Sequence, residues 1–388
     1  MANRLRLGLV GCGRRGVYVS SLFRDHPDWT VTALMDVFPA CAAEAAQRLG
    51  LPDARVYTDF ARMLGEAPVD ALFFACDPTA QVELACRAMR AGRHVCTEVP
   101  AAFSLDECWQ LVEAVHESGR QYLLMEQTRF WGFIETWRRM HAAGEFGHVC
   151  FAQGEYIHYE RHWNYWVNAN TGEMSSDLTP PAGWQARPSW RYRLLSDPIY
   201  YLPHTLSPLL KVLDDRVERV SCMGTRRQSY TYAGERLPWS DIQYALMHTR
   251  GDTVLCVGAG ISLPYVQRGA AGAHWYELRG TKASVESPRC RDDSFRTWRQ
   301  GMETYEAMDL STVPLDADER KAGSGHGGAD FKPVEEFTRA IRTGEPPEMD
   351  VFRAVETAAP AILAAESARL GGALLAVPEF RPRAHNAV

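Results

Sequence analysis

LRLGLVGCGRRGVYVSSLFRDHPDWTVTALMD, residues 5–36, is the stretch that decides the fold. Leu5, Leu7, Leu9 and Val10 form an apolar run of strand length, and Gly11, Gly13 and Gly16 then spell G-x-G-x-x-G. Val17, Val19, Leu22 and Phe23 recur at helical spacing, and a second apolar run, residues 31–35, ends in Asp36. Each part has a mechanical task. Gly11 permits a tight turn, Gly13 lets a pyrophosphate approach the backbone, and Gly16 lets helix and strand pack closely. The helix N-terminus adds free N–H groups and a partial positive charge for phosphates. Asp36 stands where a carboxylate accepts hydrogen bonds from an adenosine ribose. A carboxylate there repels a 2′-phosphate, so NAD is expected over NADP. Arg14 and Arg15 beside the loop soften that preference, because arginine can accept the phosphate.

Outward from this unit, strand and helix patterns alternate. Residues 41–49 read as an alanine-rich helix, 57–64 as a strand edge and a helix, 71–75 as a buried strand and 79–91 as a helix stopped by Gly92. Residues 94–97 are another strand, and Ser104 with Glu107 makes a capping box for a helix over 105–118 that Gly119 ends. A sixth strand covers 121–125. Such alternation means parallel strands with crossover helices, a doubly wound sheet whose ligands bind beyond the strands' carboxyl ends. That rule puts Asp77, Pro78, Glu98 and Gln127 on the cofactor side.

After about residue 125 the character changes. A helix over 133–143 leads into β-like runs at 149–159, 219–223, 241–248, 253–257, 275–278 and 284–286, and helices at 334–343 and 351–370 close the chain. The expected architecture is α/β: a Rossmann doubly wound parallel sheet over 1–125, then an α+β domain over 126–388 with an open, mostly antiparallel sheet. Between them, residues 161–201, dense in Trp, Tyr, Arg, Pro and Asn, read as a long functional loop.

The 388 residues suffice for two cores, and 46% hydrophobic with 23% charged residues is ordinary for a globular protein. A net charge of −6 with no basic block argues against nucleic acid as a partner. No stretch approaches the roughly 18 apolar residues of a membrane span, and the apolar run near the N-terminus is the first strand rather than a secretory h-region. Ten cysteines without a C-x-x-C pair read as free thiols of a cytoplasmic protein. No H-E-x-x-H or similar ligand spacing occurs, so no metal is expected.

With these residues in view, the chain resembles the Gfo/Idh/MocA oxidoreductase family. The resemblance rests on the N-terminal fingerprint, on GRHVCTEVPAAFSLDECWQLV (92–112), on LRGTKASVE (278–286) and on GHGGADFKPVEEFTRAIRTGEPPEMD (325–350). It implies a sugar pocket on the second domain's sheet, and a homodimer or homotetramer paired through that sheet. Most dehydrogenases of the family carry Glu-Lys-Pro after the fifth strand, with the lysine assisting proton transfer. Here the triplet is Glu98-Val99-Pro100. That departure, with GEYIHY at 154–159, His204-Thr205-Leu206-Ser207-Pro208 and the His326 to Phe331 signature, is similar to the NAD-dependent α-N-acetylgalactosaminidase branch.

The resemblance implies a redox-neutral reaction on a sugar glycoside: a ring carbinol is oxidised, the glycosidic oxygen leaves by elimination, water adds and the ketone is reduced again. Carried over by position, His204 is the catalytic histidine, Tyr156 the substrate-contacting tyrosine and Tyr201 a pocket tyrosine. Gln127 replaces an asparagine that contacts NAD; Arg191 and Tyr276 are looser substrate-side matches. An imidazole, with an ordinary pKa of about 6.5, suits the carbinol proton. A tyrosine can take the carbon acid's proton if neighbouring charge lowers its own pKa; Tyr156 is assigned that role, with Tyr201 as the competing catalytic tyrosine.

Blander readings stand beside these. His204 in an aromatic segment could be a packed core histidine, and Tyr156 and His158 lie in an alternating run that could face the core. The run containing Trp163 fits either a sugar-stacking wall or a subunit contact. Arg187, Arg191 and Arg193 could bind an anionic sugar substituent or simply be solvated. Glu98 is expected near the nicotinamide ribose. A simple NAD(P)-dependent sugar or cyclitol dehydrogenase, and a non-catalytic NAD-binding sensor, are the alternatives.

Overall fold

A computed structural model describes residues 4–158, 165–194, 196–230, 239–263, 273–290, 292–310 and 323–381. The chain opens β1 (Leu5–Val10), α1 (Arg14–Asp25), β2 (Trp29–Met35), α2 (Pro39–Leu49), β3 (Arg55–Tyr57), α3 (Phe60–Glu66), β4 (Ala71–Phe74), α4 (Pro78–Arg90), β5 (His94–Thr97), α5 (Leu105–Ser118) and β6 (Tyr122–Leu124). It continues α6 (Gly132–Ala142), β7 (Val149–Ile157), β8 (Trp166–Asn168), β9 (Met174–Ser175), β10 (Ala186–Pro188), α7 (Trp190–Leu194) and α8 (Pro203–Leu213). Then come β11 (Val217–Gly224), β12 (Ile242–Thr249), β13 (Val254–Gly260), β14 (His274–Gly280), β15 (Ala283–Glu286), β16 (Phe295–Arg299), β17 (Glu306–Met308), α9 (Phe331–Thr343), α10 (Val351–Arg369) and β18 (Leu375–Ala376). Among the described residues no helix is long and apolar enough to cross a membrane.

Two compact units result. The first holds residues up to Glu126 together with Glu160–Ser196 and Asp330–Val351. Its sheet has the order β3-β2-β1-β4-β5-β6, all parallel, which is the doubly wound Rossmann order. β4, with both faces covered, is ALFF and wholly buried, the continuous apolar run that a central parallel strand requires. α5 carries its capping box in full, with Ser104 and Glu107 each accepting from the other's backbone, and Gly119 closes it in the left-handed region. α9 completes this core: Phe337 stacks on Trp29 at 5.9 Å, and Trp29 Nε1 donates to Thr338 Oγ1 at 2.7 Å.

The long loop expected over 161–201 instead contains a three-stranded antiparallel sheet, β10-β8-β9, followed by α7, and its residues up to Ser196 cluster with the first unit. Backbone pairing between Trp166 and Ser175 and between Ala186 and Asn168 satisfies groups that a structureless loop would leave to water.

The second unit is built on a nine-stranded sheet, β17-β16-β15-β14-β7-β13-β12-β11-β18. Its strands pair antiparallel except β7 with β13. α8 lies against β7. The contact depends on Gly154, where a Cβ would sit 2.4 Å from Thr205 Cγ2. α8 went unread in the sequence because Pro203 and Pro208 both fall within it. Pro203 costs nothing at the first helical position, and burial of the whole helix outweighs the bond lost at Pro208.

Candidate active site

In the first unit, a cavity of about 380 Å³ opens at the carboxyl ends of β1 and β2. Gly11, Gly13, Arg14, Asp36 and Asp77 all line it. Gly11 has φ +95°, and a Cβ there would lie 2.5 Å from the Ala75 carbonyl oxygen. Gly16 lies beneath the loop, where a Cβ would be 2.1 Å from the Gly11 carbonyl oxygen. At Gly13 a Cβ meets nothing within 4 Å, so that side of the loop is open to a ligand. Gly13 is also the N-cap of α1 and offers no side-chain bond to the first turn, leaving its N–H groups for an anion. Asp36 braces the loop from the end of β2: Oδ2 accepts from Cys12 N at 2.8 Å and Oδ1 from Phe38 N at 2.9 Å. Each carboxylate oxygen keeps a lone pair for a ribose hydroxyl. This cradle fits a dinucleotide.

The other expected cofactor residues sit elsewhere. Pro78 is buried as the first residue of α4, above an Asp77 whose carboxylate caps that helix through Thr79. Glu98 pairs with Arg15 at 2.7 Å, and Arg15 also reaches the buried Asp330 at 3.4 Å. Burial works against the Arg15 charge, but Glu98 and Asp330 outweigh it and hold the guanidinium firmly protonated. The H-G-G-x-D-F signature thus has one identifiable use within this unit: Asp330 fixes Arg15 behind the glycine loop. Gln127 groups with the second unit, buried, with Nε2 3.3 Å from the His326 ring.

In the second unit, aromatic and imidazole rings converge on Tyr156. Gly154, Tyr156 and His158 alternate onto one side of β7, while β14 pairs His274 with Tyr156 and Tyr276 with Gly154. The His274 ring stacks on Tyr156 at 4.0 Å and His158 meets it edge-on at 4.0 Å. His204, from the first turn of α8, is 5.3 Å away between ring centroids, and Tyr201 is 6.2 Å away. The turn bearing Tyr201 is anchored by buried Asp197, which accepts from Gln243 at 3.1 Å and pairs with Arg369 at 2.5 Å.

Tyr276 is fully buried, so it lies under the cluster rather than facing a substrate. Its hydroxyl donates to the His204 carbonyl at 2.9 Å, as does Thr128 Oγ1 at 2.9 Å. The same hydroxyl lies 3.1 Å from His274 Nδ1. A carbonyl can only accept, so the phenol's single proton is spent on it and His274 must donate from Nδ1. That tautomer leaves His274 Nε2 an acceptor. Burial pushes the His274 pKa well below its ordinary value, with His204, His158 and His326 adding in the same direction, so this ring stays neutral.

Arg191 belongs to the first unit, its guanidinium 5.1 Å above the Trp190 ring, and Trp163 lies outside the described residues. Sequence reasoning did not single out His274, Thr128 or Asp330. The alternation of His274 and Tyr276 along one strand was the available sign for the first. Among the described residues, no group of three or more His, Cys, Asp or Glu could hold a metal ion.

A dinucleotide cradle on a Rossmann sheet, carried by the same chain as an imidazole and phenol cluster on an antiparallel sheet, defines an NAD-dependent enzyme. Residues 5–126 match the oxidoreductase family with an NAD-binding Rossmann fold. Residues 136–386 match the C-terminal domain of glycosyl hydrolase 109, and the chain belongs to the glycosyl hydrolase 109 family. A glycosyl hydrolase family 109 protein of Saccharopolyspora erythraea is 27% identical over 97% of this chain and 83% of its own. One from Porphyromonas gingivalis is 26% identical over 97% and 84%. Among solved structures, levoglucosan dehydrogenase in complex with NADH and levoglucosan superposes with a TM-score of 0.75 at 17% identity, covering 97% of this chain and 100% of that one. An inositol dehydrogenase homolog from Azotobacter vinelandii, complexed with NADH and myo-inositol, gives 0.73 at 20%, covering 97% and 98%. These structures share the fold.

Proposed function

We propose that the chain cleaves a sugar glycoside by a redox-neutral sequence, with the first unit binding NAD and the second supplying the sugar site and the proton chemistry. The observation that carries this reading is the cluster itself. A tyrosine is held between two imidazoles, His274 and His158, with His204 5.3 Å away, in a chain where Val99 supplies no lysine.

When bound, the nicotinamide supplies reversible two-electron oxidation of a ring carbinol. His204 accepts the carbinol O–H proton and holds it for the return step. The ketone acidifies the adjacent C–H, and Tyr156 as phenolate takes that proton. The electron pair moves into a carbon–carbon double bond as the glycosidic C–O bond breaks. Water then delivers hydroxide to the anomeric carbon and its other proton to the departed alkoxide. The Tyr156 phenol exchanges its proton with solvent and then protonates the neighbouring carbon, and His204 returns the other to the carbinol oxygen. His158, edge-on to Tyr156, and Tyr201 line the sugar side of the cluster.

The test uses the protein as purified, incubated with aryl α- and β-glycosides in D2O. Free sugar carrying deuterium next to the anomeric centre is the expected product. Tyr156→Phe should lose cleavage and deuterium incorporation by a factor of about 10² to 10⁴, while substrate still reduces bound NAD⁺. Cleavage without deuterium would sink the elimination, and loss of both steps together would remove Tyr156 from its assigned role.

A further inference from the structure

The dinucleotide cavity has a second wall that no part of the glycine motif supplies. Its floor comes from the β1–α1 loop and from Asp36 and Phe38 after β2. Facing these are Val167 of β8, Gly172, Met174 of β9, Arg187 of β10 and Trp190 at the start of α7, more than 120 residues further along the chain. We propose that residues 166–190 form a clasp over the adenosine half of the cofactor, so that NAD is retained from one turnover to the next. The inference rests on the cofactor reading and goes beyond the reaction proposed above.

Three observations carry it. The first is that the finger is built rather than loose. β8 pairs with both β9 and β10, Gly172 N donates to the Asn168 carbonyl at 2.9 Å, and Asn168 N donates to the Glu173 carbonyl at 2.8 Å. The second is that its tip is seated on the Rossmann loop. Gly172 has φ +77°, and a Cβ there would lie 2.5 Å from the Phe38 ring, so the backbone rests directly on that side chain. Phe38 is itself tied to the ribose-binding carboxylate through its N–H bond to Asp36.

The third observation is the chemistry of the wall. Val167, Met174, Phe38 and Trp190 give it apolar and aromatic surface of the kind that covers a purine face. The Arg187 side chain is exposed and makes no ion pair or hydrogen bond among the described residues. With Arg14 on the opposite wall, it offers two cations to a ligand that carries two phosphate charges. A cofactor enclosed from both sides leaves only when the finger lifts from Phe38. Release is then slow, as suits a reaction that returns its electrons in every cycle.

The experiment measures cofactor and not glycoside cleavage. The full chain is purified, its bound NAD(H) is quantified after extraction, and NADH release is followed by fluorescence on chasing with excess NAD⁺. Gly172→Val should force the tip away from Phe38, speed NADH release tenfold or more, and leave the purified protein depleted of cofactor. Arg187→Ala, an exposed change that keeps the fold if Gly172→Val does not, should weaken NADH binding several-fold, with Arg187→Lys recovering most of it. Release and affinity within twofold of wild type in the folded variants would overturn the clasp, and so would a wild-type protein that is purified without bound NAD(H) and takes up no NADH. A protein that holds NADH by these residues yet gives no deuterated sugar keeps the clasp and loses the proposed reaction.

Discussion

The two sites of this molecule are made from different materials. The dinucleotide cradle is backbone: Gly11, Gly13 and Gly16 work by lacking side chains, and Asp36 binds two loop N–H groups within the same βαβ unit. The ring cluster is the reverse. Tyr156, His204 and His274 come from β7, α8 and β14, and they meet only because strand register and helix packing bring them together. A site of local backbone geometry fails all at once when that geometry is lost. A site of packed side chains fails by degrees, as its parts drift.

The sharpest way to break this comparison is at Gly11. Gly11→Val adds a branched side chain at φ +95°, with its Cβ 2.5 Å from the Ala75 carbonyl oxygen. A β-branched residue tolerates neither the dihedral nor the contact. Purified Gly11→Val should carry no NAD and take up none at millimolar concentration, measured by extraction and by NADH fluorescence. Measurable NADH affinity would mean the loop is not the phosphate cradle.

The ring cluster should yield a smaller and reversible effect. Gly154→Ala places a Cβ 2.4 Å from Thr205 Cγ2 and pushes α8 off β7, carrying His204 away from Tyr156. Displacement of about 1 Å costs roughly 10² in rate, so kcat should fall by about that factor while NADH binding is unchanged. Thr205→Ser removes the offending methyl, and the double variant should regain most of the activity. An equally slow double variant would show that the helix–strand spacing does not set the geometry.

How far each site was legible in the sequence follows from the same contrast. The glycine spacing, the acid ending β2 and the capping box at Ser104 are local patterns, and with the alternation of strands and helices they mark the doubly wound sheet. His204 and Tyr156 were reached through resemblance to known sequences rather than through physical pattern, because nothing local says that β7 and α8 pack together. His274 was missed, since its importance lies in its register with Tyr156 across β14 and β7, 118 positions apart in sequence. The β8–β10 finger was read as a loop because its strands are two or three residues long and rich in Trp, Arg and Pro, below the length at which alternation can be seen.

The smallest effect separates the two units by pH. Each holds a neutral histidine. His94 in the first accepts from Gln121 N through Nδ1 at 3.0 Å, and burial, then the Arg120 charge, lowers its pKa to about 4. His274 in the second is more deeply buried, and its pKa lies well below its ordinary value. Both pKa values are depressed on folding, so the unfolded chain binds more protons once pH drops below about 6.5. Stability is then full above pH 6.5 and declines as pH falls, for His94 until about pH 4. A fully buried histidine contributes at most about 1.4 kcal/mol per pH unit. His94, only partly shielded from solvent, contributes less. His274→Phe removes the contribution of the fully buried ring, so its denaturation free energy between pH 7 and 5 should fall less than that of wild type, whatever the offset at pH 8. Parallel curves for the two proteins would mean that His274 does not stay neutral under Tyr156, and the hydrogen-bond assignment from Tyr276 would go with it.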